Sequence, residues 1–378
     1  MRRAVVLGLA MLLAACGGVV PRAAPPSAKA PPSSAPARSA PSVGLPEDRE
    51  RNRVALLVPL SGPNALVGQS IANAAVLALI DTKDRALRIT TYDTGPGAAA
   101  AAQRALADGN RLFLGPLLGE DVRVVAPLAS AAGVPVLAFS NDVAVAGGDV
   151  WLLGFQPSQS IDRVVRFART RGLTRFAGLV PQGVYGRGAA TMLIRTAEAA
   201  GGSVVAMQTY QRTPASIAAA VTALGKQHYD AVLIADSGRV AVAAASLIRK
   251  RGGASARLLG TELWNAEKGL AESSVLAGAW FASVDDAMFD PFALRYRARY
   301  QRTPYRLASL GYDGVLLTVR IARDWRPGSA FPVDRLDDEG GFAGVDGAFR
   351  FGRAHVAERT LAVHQIGGGV VSPAPKGF

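Results

Sequence analysis

Val54-Ala-Leu-Leu-Val-Pro-Leu-Ser-Gly-Pro-Asn-Ala-Leu-Val-Gly68-Gln69 is the stretch that decides how this chain folds. Val54 to Val58 is an unbroken apolar run, the pattern of a strand covered on both faces. Ser61-Gly62-Pro63-Asn64 is a turn cluster. From Val67 the apolar positions recur at three and four residues, through Ile71, Ala74, Ala75 and Ala78, which predicts a helix. A strand feeding a turn and then a helix N-terminus sets backbone N–H groups at the strand's carboxyl edge. Open α/β sheets bind ligands at that edge.

The rest of the chain repeats this unit. Strands are predicted over 87–92, 111–114 and 134–139, with helices over 98–107 and 122–132 between them. After a short apolar run at 151–155 the alternation restarts: strands over 176–180, 204–210, 231–235, 256–260 and 278–281, helices over 188–200, 217–224 and 240–251. So many strands do not suit one open sheet, and two mostly parallel sheets in two lobes are expected. Two long helical patterns, 289–301 and 307–325, follow. In the first, Phe292, Tyr296 and Tyr300 form a stripe that reads as core packing. The tail alternates around glycine turns at 347–352 and 359–366, as antiparallel strands do.

The chain has 378 residues, enough for two ordinary domains, and 49% of them are hydrophobic. Only 19% are charged, which excludes a disordered polyelectrolyte. The formal charge is +13. After Arg53 the basic residues are dispersed and mostly arginine. A solvated surface accounts for them better than a polyanion site does, and no nucleic acid is expected as a partner.

Before the opening strand the sequence reads as address and tether. Met1-Arg2-Arg3 is a positive n-region, and the apolar run from Ala4 to Leu13 is too short to span a bilayer. Leu13-Ala14-Ala15-Cys16 resembles a bacterial lipobox, which implies cleavage before Cys16 and lipid attachment to it. Gly17, with no Asp at the second mature position, implies the outer membrane in preference to the inner. Cys16 is the only cysteine, so no internal disulfide or cysteine metal site is expected. The segment to residue 51 is rich in Pro, Ala and Ser and reads as an extended spacer.

Taken in order, several motifs resemble the type I periplasmic binding proteins of the leucine/isoleucine/valine-binding kind. They are Leu60-Ser61-Gly62-Pro63 with Gly68, Leu114-Gly115-Pro116, Gly133-Val134-Pro135-Val136, Tyr185-Gly186-Arg187-Gly188, Gly311-Tyr312-Asp313 and the tail from Gly344 to Phe351. The resemblance runs from about Arg53 to Val371. It implies two lobes joined by three crossings, expected near 155–157, 283–286 and 326–331, with a ligand in the cleft. The implied division is 1–15 leader, 16–51 anchor and spacer, 52–156 with 286–328 as lobe 1, and 157–285 with 329–378 as lobe 2.

The resemblance also implies a cleft built from Ser61, Asn64, Leu118, Gly119, Ser140, Asn141, Asp142, Tyr185, Asp236, Glu262 and Trp264. The chain departs from the amino-acid binders at two of these. Gly119 stands where a serine hydroxyl grips the ligand's α-carboxylate, and Asp142 closes a turn that otherwise ends in threonine. Asp142 would accept from an ammonium and repel a carboxylate. Glu262 matches the acid that pairs with a ligand ammonium. Trp264 has two readings, a stacking surface for a ligand or a packed side chain at the lobe edge.

Together with the lipobox, the spacer and Leu263-Trp264-Asn265, these departures are similar to lipoproteins that activate penicillin-binding proteins, the synthases of peptidoglycan. That regulatory role is the first expectation, with such a synthase as partner and membrane contact through the lipid anchor only. The alternative is the substrate-binding receptor of an ABC-type importer, taking an amino acid or another small polar ligand. Catalysis has little support: His228, His355 and His364 show no metal-ligand spacing, there is no nucleophile elbow, and Gly225-Lys226 lacks the upstream glycine of a phosphate loop. Asp285-Asp286 reads as a solvated hinge pair. No metal or cofactor is expected.

Overall fold

The computed structural model describes residues 50–251, 253, 255–375 and 378. The leader, Cys16 and nearly all of the spacer lie outside the described residues.

The first lobe opens with β1 (Asn52–Val58), α1 (Ala65–Thr82), β2 (Leu87–Asp93), α2 (Ala98–Ala107), β3 (Leu112–Leu114), α3 (Gly119–Ala131), β4 (Val136–Ala138) and β5 (Val150–Leu152). Its five strands are parallel, in the order β2-β1-β3-β4-β5. The unbroken apolar run of β1 has a direct cause. Val54, Leu56 and Val58 enter one core and Ala55 and Leu57 enter another, so both faces of the strand are covered.

The second lobe holds α4 (Pro157–Thr170), β6 (Arg175–Pro181), α5 (Val184–Ala199), β7 (Ser203–Tyr210), α6 (Pro214–Leu224), β8 (Ala231–Ile234), α7 (Gly238–Lys250), β9 (Arg257–Gly260) and β10 (Trp280–Ser283). The chain then returns to the first lobe as α8 (Phe289–Tyr300) and α9 (Ala308–Ala322), followed by β11 (Phe342–Gly344), β12 (Gly347–Phe351) and β13 (Ala357–Arg359). It closes with β14 (Ala362–Gln365) and β15 (Gly369–Ser372). The second sheet runs β15-β14-β10-β9-β8-β6-β7, all in one direction except β14, which is antiparallel to both its neighbours. Strands β11 to β13 form a separate antiparallel sheet.

Each lobe begins the same way. β1 leads into Pro59, β6 ends at Pro181, and a glycine in the following helix packs on that proline's carbonyl. A Cβ at Gly68 would lie 1.8 Å from the Pro59 oxygen, and one at Gly186 would lie 1.7 Å from the Pro181 oxygen. Only glycine allows that approach. Helix α5 therefore starts at Val184, four residues before the expected start at 188, and Tyr185-Gly186-Arg187 is its first turn.

One boundary is corrected. Residues 329–378 were expected in lobe 2, with a crossing near 326–331. Phe331, Leu336, Phe342, Val345, Phe349, Phe351 and Ala357 instead pack in the core of lobe 1, with α8 and α9. The third crossing is at 360–361, between β13 and β14. The antiparallel tail thus divides between the lobes because its aromatic inward face matches the first core.

Candidate functional site

The ends of β3 and β4 and the starts of α3, α4 and α5 surround an open cavity of about 840 Å³. One wall belongs to the first lobe and carries Leu118, Gly119, Ser140, Asn141 and Asp142; the other carries Tyr185, Arg187 and Arg195 of α5. Six of the cleft residues expected from sequence meet here.

The first wall is closed upon itself. The Ser140 Oγ accepts from the Asp142 N–H at 3.1 Å, and the Asp142 Oδ1 accepts from the Ala144 N–H at 3.1 Å. Arg123, one turn into α3, donates to the Asp142 Oδ2. Asp142 also explains Gly119: a Cβ there would lie 3.0 Å from both the Cβ and the Oδ2 of Asp142. A carboxylate of the chain thus fills the space beside the start of α3.

The second wall leads inward. The Tyr185 hydroxyl lies 2.9 Å from the Thr261 Oγ1 and donates to the Glu262 Oε1 at 3.2 Å. Burial and the Glu262 charge push the Tyr185 hydroxyl far up, so it stays protonated. Burial also pushes the Glu262 carboxyl up to about 7. Its Oε2 is buried and accepts no hydrogen bond.

The remaining expected residues stand elsewhere. Asp236 is buried and fully engaged: it accepts from the Tyr210 hydroxyl at 2.7 Å, from Arg212 at 2.9 Å and from the Ser237 N–H at 2.7 Å. Of the two readings of Trp264, the structure takes the packed one. Its ring lies against Gly260, its Nε1 donates to the Asp236 carbonyl at 3.2 Å, and it is 1% exposed. Ser61 is exposed in the turn after β1 and Asn64 precedes α1 without a side-chain cap; neither lines the 840 Å³ cavity.

Between the cleft and the hinge lies a chamber of about 30 Å³, lined by Phe155, Gln156, Glu262, Ser283, Arg306 and Arg359 among others. Gln156 lines both spaces. Sequence reasoning passed over Gln156, Arg306 and Arg359. One signal was available: Arg359 takes an inward position on β13, where the pairing partner on β12 is the buried Phe349. Arg306 donates to Asp346 at 2.5 Å and lies 3.4 Å from Asp286; Arg359 donates to the Leu153 carbonyl at 2.9 Å. Below them the Asp313 carboxyl is pushed up by burial and by the charge of Asp346, and burial pulls the Arg359 guanidinium down. Beyond Arg306 and Asn265 a further cavity of about 510 Å³ opens beside Trp264, Phe281 and His364. Among the described residues no cluster of His, Cys, Asp or Glu has the makings of a metal site.

A family model described as periplasmic binding protein matches residues 52–370. The chain belongs to the periplasmic binding protein family. Its fold is shared with a putative branched-chain amino acid ABC transporter protein from Rhodospirillum rubrum (TM-score 0.75, 19% identity, 85% of this chain and 100% of that one). A solute-binding protein from Rhodopseudomonas palustris, solved with 3,4-dihydroxybenzoic acid, aligns with TM-score 0.69 at 18% identity over 87% and 97% of the two chains. The LivJ protein of Streptococcus pneumoniae, solved with isoleucine, aligns with TM-score 0.66 at 20% identity over 86% and 100%. At these identities the likeness concerns the fold. An uncharacterized protein of Rickettsia prowazekii is 23% identical over 177 residues, 46% of this chain, and the chain spans about half that relative's length (47%). The family is one of ligand-binding receptors that work outside the cytoplasmic membrane.

Proposed function

We propose that this protein is the solute-binding receptor of an ABC-type importer, closing its two lobes on a small polar ligand. The observation that carries this reading is the 840 Å³ cavity, walled by both lobes and of the size that encloses a small organic molecule. A ligand touching both walls favours the closed arrangement by its differential affinity for it, which is how such a receptor signals occupancy. The structural neighbours described above are transport proteins, and the two with named ligands hold carboxylic acids. These neighbours support a receptor over the activator of a penicillin-binding protein that the sequence first suggested. The altered grip at Gly119 and Asp142 then reflects a different ligand, not the loss of one. Lipid attachment at Cys16 and an outer-membrane location belong to the same proposal.

The test is a thermal-shift screen of the full chain against amino acids, aromatic acids and aliphatic acids. Binding to the folded state raises the melting temperature by mass action, and at least one solute is expected to do so. Silence across the panel, combined with retention of a peptidoglycan synthase in a pull-down from solubilised membranes, would overturn the receptor reading.

A further inference from the structure

We infer that the hinge chamber is an anion subsite, in which Arg306 and Arg359 hold a carboxylate group whose remainder lies in the cleft. The inference deepens the receptor reading and rests on it for the body of the ligand.

Four observations lead there. First, the chamber is built from side chains taken out of water: the Arg306 side chain is 9% exposed, Arg359 is 8% exposed and Gln156 is 4% exposed. Six of their atoms, with those of Glu262, are buried without a hydrogen-bond partner: Nε and Nη2 of Arg306, Nε and Nη1 of Arg359, Oε1 of Gln156 and Oε2 of Glu262. Buried polar groups of a native structure are almost always satisfied, so this concentration marks a place made for an occupant.

Second, donors outnumber acceptors among those atoms by four to two, and all four donors are guanidinium N–H groups. Planar guanidinium donors match a carboxylate. Both guanidinium groups line the chamber and lie against the same Phe155 ring, their carbons 5.8 Å (Arg306) and 5.0 Å (Arg359) from its centre. Asp346 engages Nη1 of Arg306 and Asp286 stands 3.4 Å from its Nη2, while Arg359 spends one donor on a backbone carbonyl and feels the charges of Asp346 and Asp313; the Nε of each guanidinium and the Nη1 of Arg359 have no partner.

Third, the size fits. A water-sized atom needs about 10–15 Å³ of such space, so 30 Å³ takes two of them, the two oxygens of one carboxylate. Gln156 borders both spaces, so a head group in the chamber stands next to a body in the cleft.

Fourth, the space beside the start of α3 is already filled by the Asp142 carboxylate and its partner Arg123. A second carboxylate there would meet the first.

Formate is the smallest probe of this subsite. The full chain is melted in sodium formate and in sodium chloride at matched ionic strength, and in formamide, the neutral analogue. Formate should raise the melting temperature by about 2 °C beyond chloride, and formamide should not. Arg306→Gln and Arg359→Gln should each abolish the formate effect, while Arg353→Ala, an exposed arginine away from the chamber, should keep it. Arg359→Lys keeps the buried charge and loses the planar donor pair, so it should also lose the effect if the glutamine variant does not fold.

Equal shifts in formate and chloride would mean an unselective response to anions and overturn the inference. So would a formamide shift as large as that of formate, no shift at all, which leaves a chamber filled by water only, or variants that respond like the parent. None of these results touches the receptor reading, which stands or falls on the solute panel.

Discussion

The cleft wall of the first lobe and the hinge chamber are both polar, and they treat their polar groups in opposite ways. On the wall, Ser140, Asp142, Arg123 and the Ala144 N–H satisfy one another, and the carboxylate sits partly in water. In the chamber, six buried atoms on four residues have no hydrogen-bond partner. A satisfied, hydrated wall shapes a cavity but offers a ligand little that water does not already supply. Unsatisfied donors out of water gain nearly the full strength of any bond they form. On the proposed reading, the cleft selects the ligand's shape and the hinge its charge.

The largest expected effect lies beneath the chamber. Asp346 is fully buried and receives Arg306 at 2.5 Å. Asp346→Ala leaves Arg306 buried with only the half-exposed Asp286 near it, and should destabilise the protein by about 3–5 kcal/mol. Urea unfolding checks the figure. A loss below about 1 kcal/mol would mean that the chamber is open to water, and would erase the contrast with the wall.

Much of the wall was legible in the sequence and the chamber was not, for a physical reason. The wall is made of turns that directly follow strands, so Gly119, Ser140, Asn141 and Asp142 are placed by local pattern at a strand's end or a helix's start, and the resemblance then marks them as cleft. The chamber is assembled from segments far apart in the chain, Gln156 from the first crossing, Ser283 from the second, Arg359 from the third and Arg306 from the loop before α9. No spacing links them. Legibility failed in the same way at the third crossing, because the choice of lobe for 329–359 depends on which core receives Phe342, Phe349 and Phe351. Trp264 stayed ambiguous until its Nε1 was seen to donate to the Asp236 carbonyl. The alternation of strands and helices, a local signal, carried through to both sheets.

Glu262 joins the two regions, since its Oε1 faces Tyr185 of the cleft and its residue lines the chamber. Its carboxyl stands at about 7 in the fold against a reference value of 4.5. Between those values the folded state holds a proton that the unfolded chain has released, so stability falls as pH rises through that window. Glu262→Gln removes the contribution. The stability difference between parent and variant should therefore move against the parent by about 2 kcal/mol from pH 4.5 to 7.5, a figure kept modest because Glu262 is partly exposed. Taking the difference cancels the opposing contribution of His364, whose imidazole burial pulls down. Parallel curves for the two proteins would show that Glu262 is hydrated and belongs with the wall.

The smallest effect tests the wall itself. Gly119→Ser restores the hydroxyl that amino-acid binders of this fold are expected to carry. Its Cβ would come within 3.0 Å of the Asp142 side chain and 3.3 Å of the Ser140 Oγ. Asp142 is held by Arg123 and by the Ala144 N–H, so it can give way only by breaking those bonds. The substitution should cost about 1 kcal/mol. Asp142→Ala in the same chain removes the obstruction, and the pair should be coupled: the serine should be less harmful in the alanine background, by a margin a double-mutant cycle resolves. If the wall is only a shaped surface, neither variant should alter the formate effect at the hinge. If Gly119→Ser with Asp142→Ala also gains affinity for isoleucine in the thermal-shift screen, then Asp142 is what excludes an α-carboxylate from the start of α3, and the division of shape from charge is a property of that one side chain.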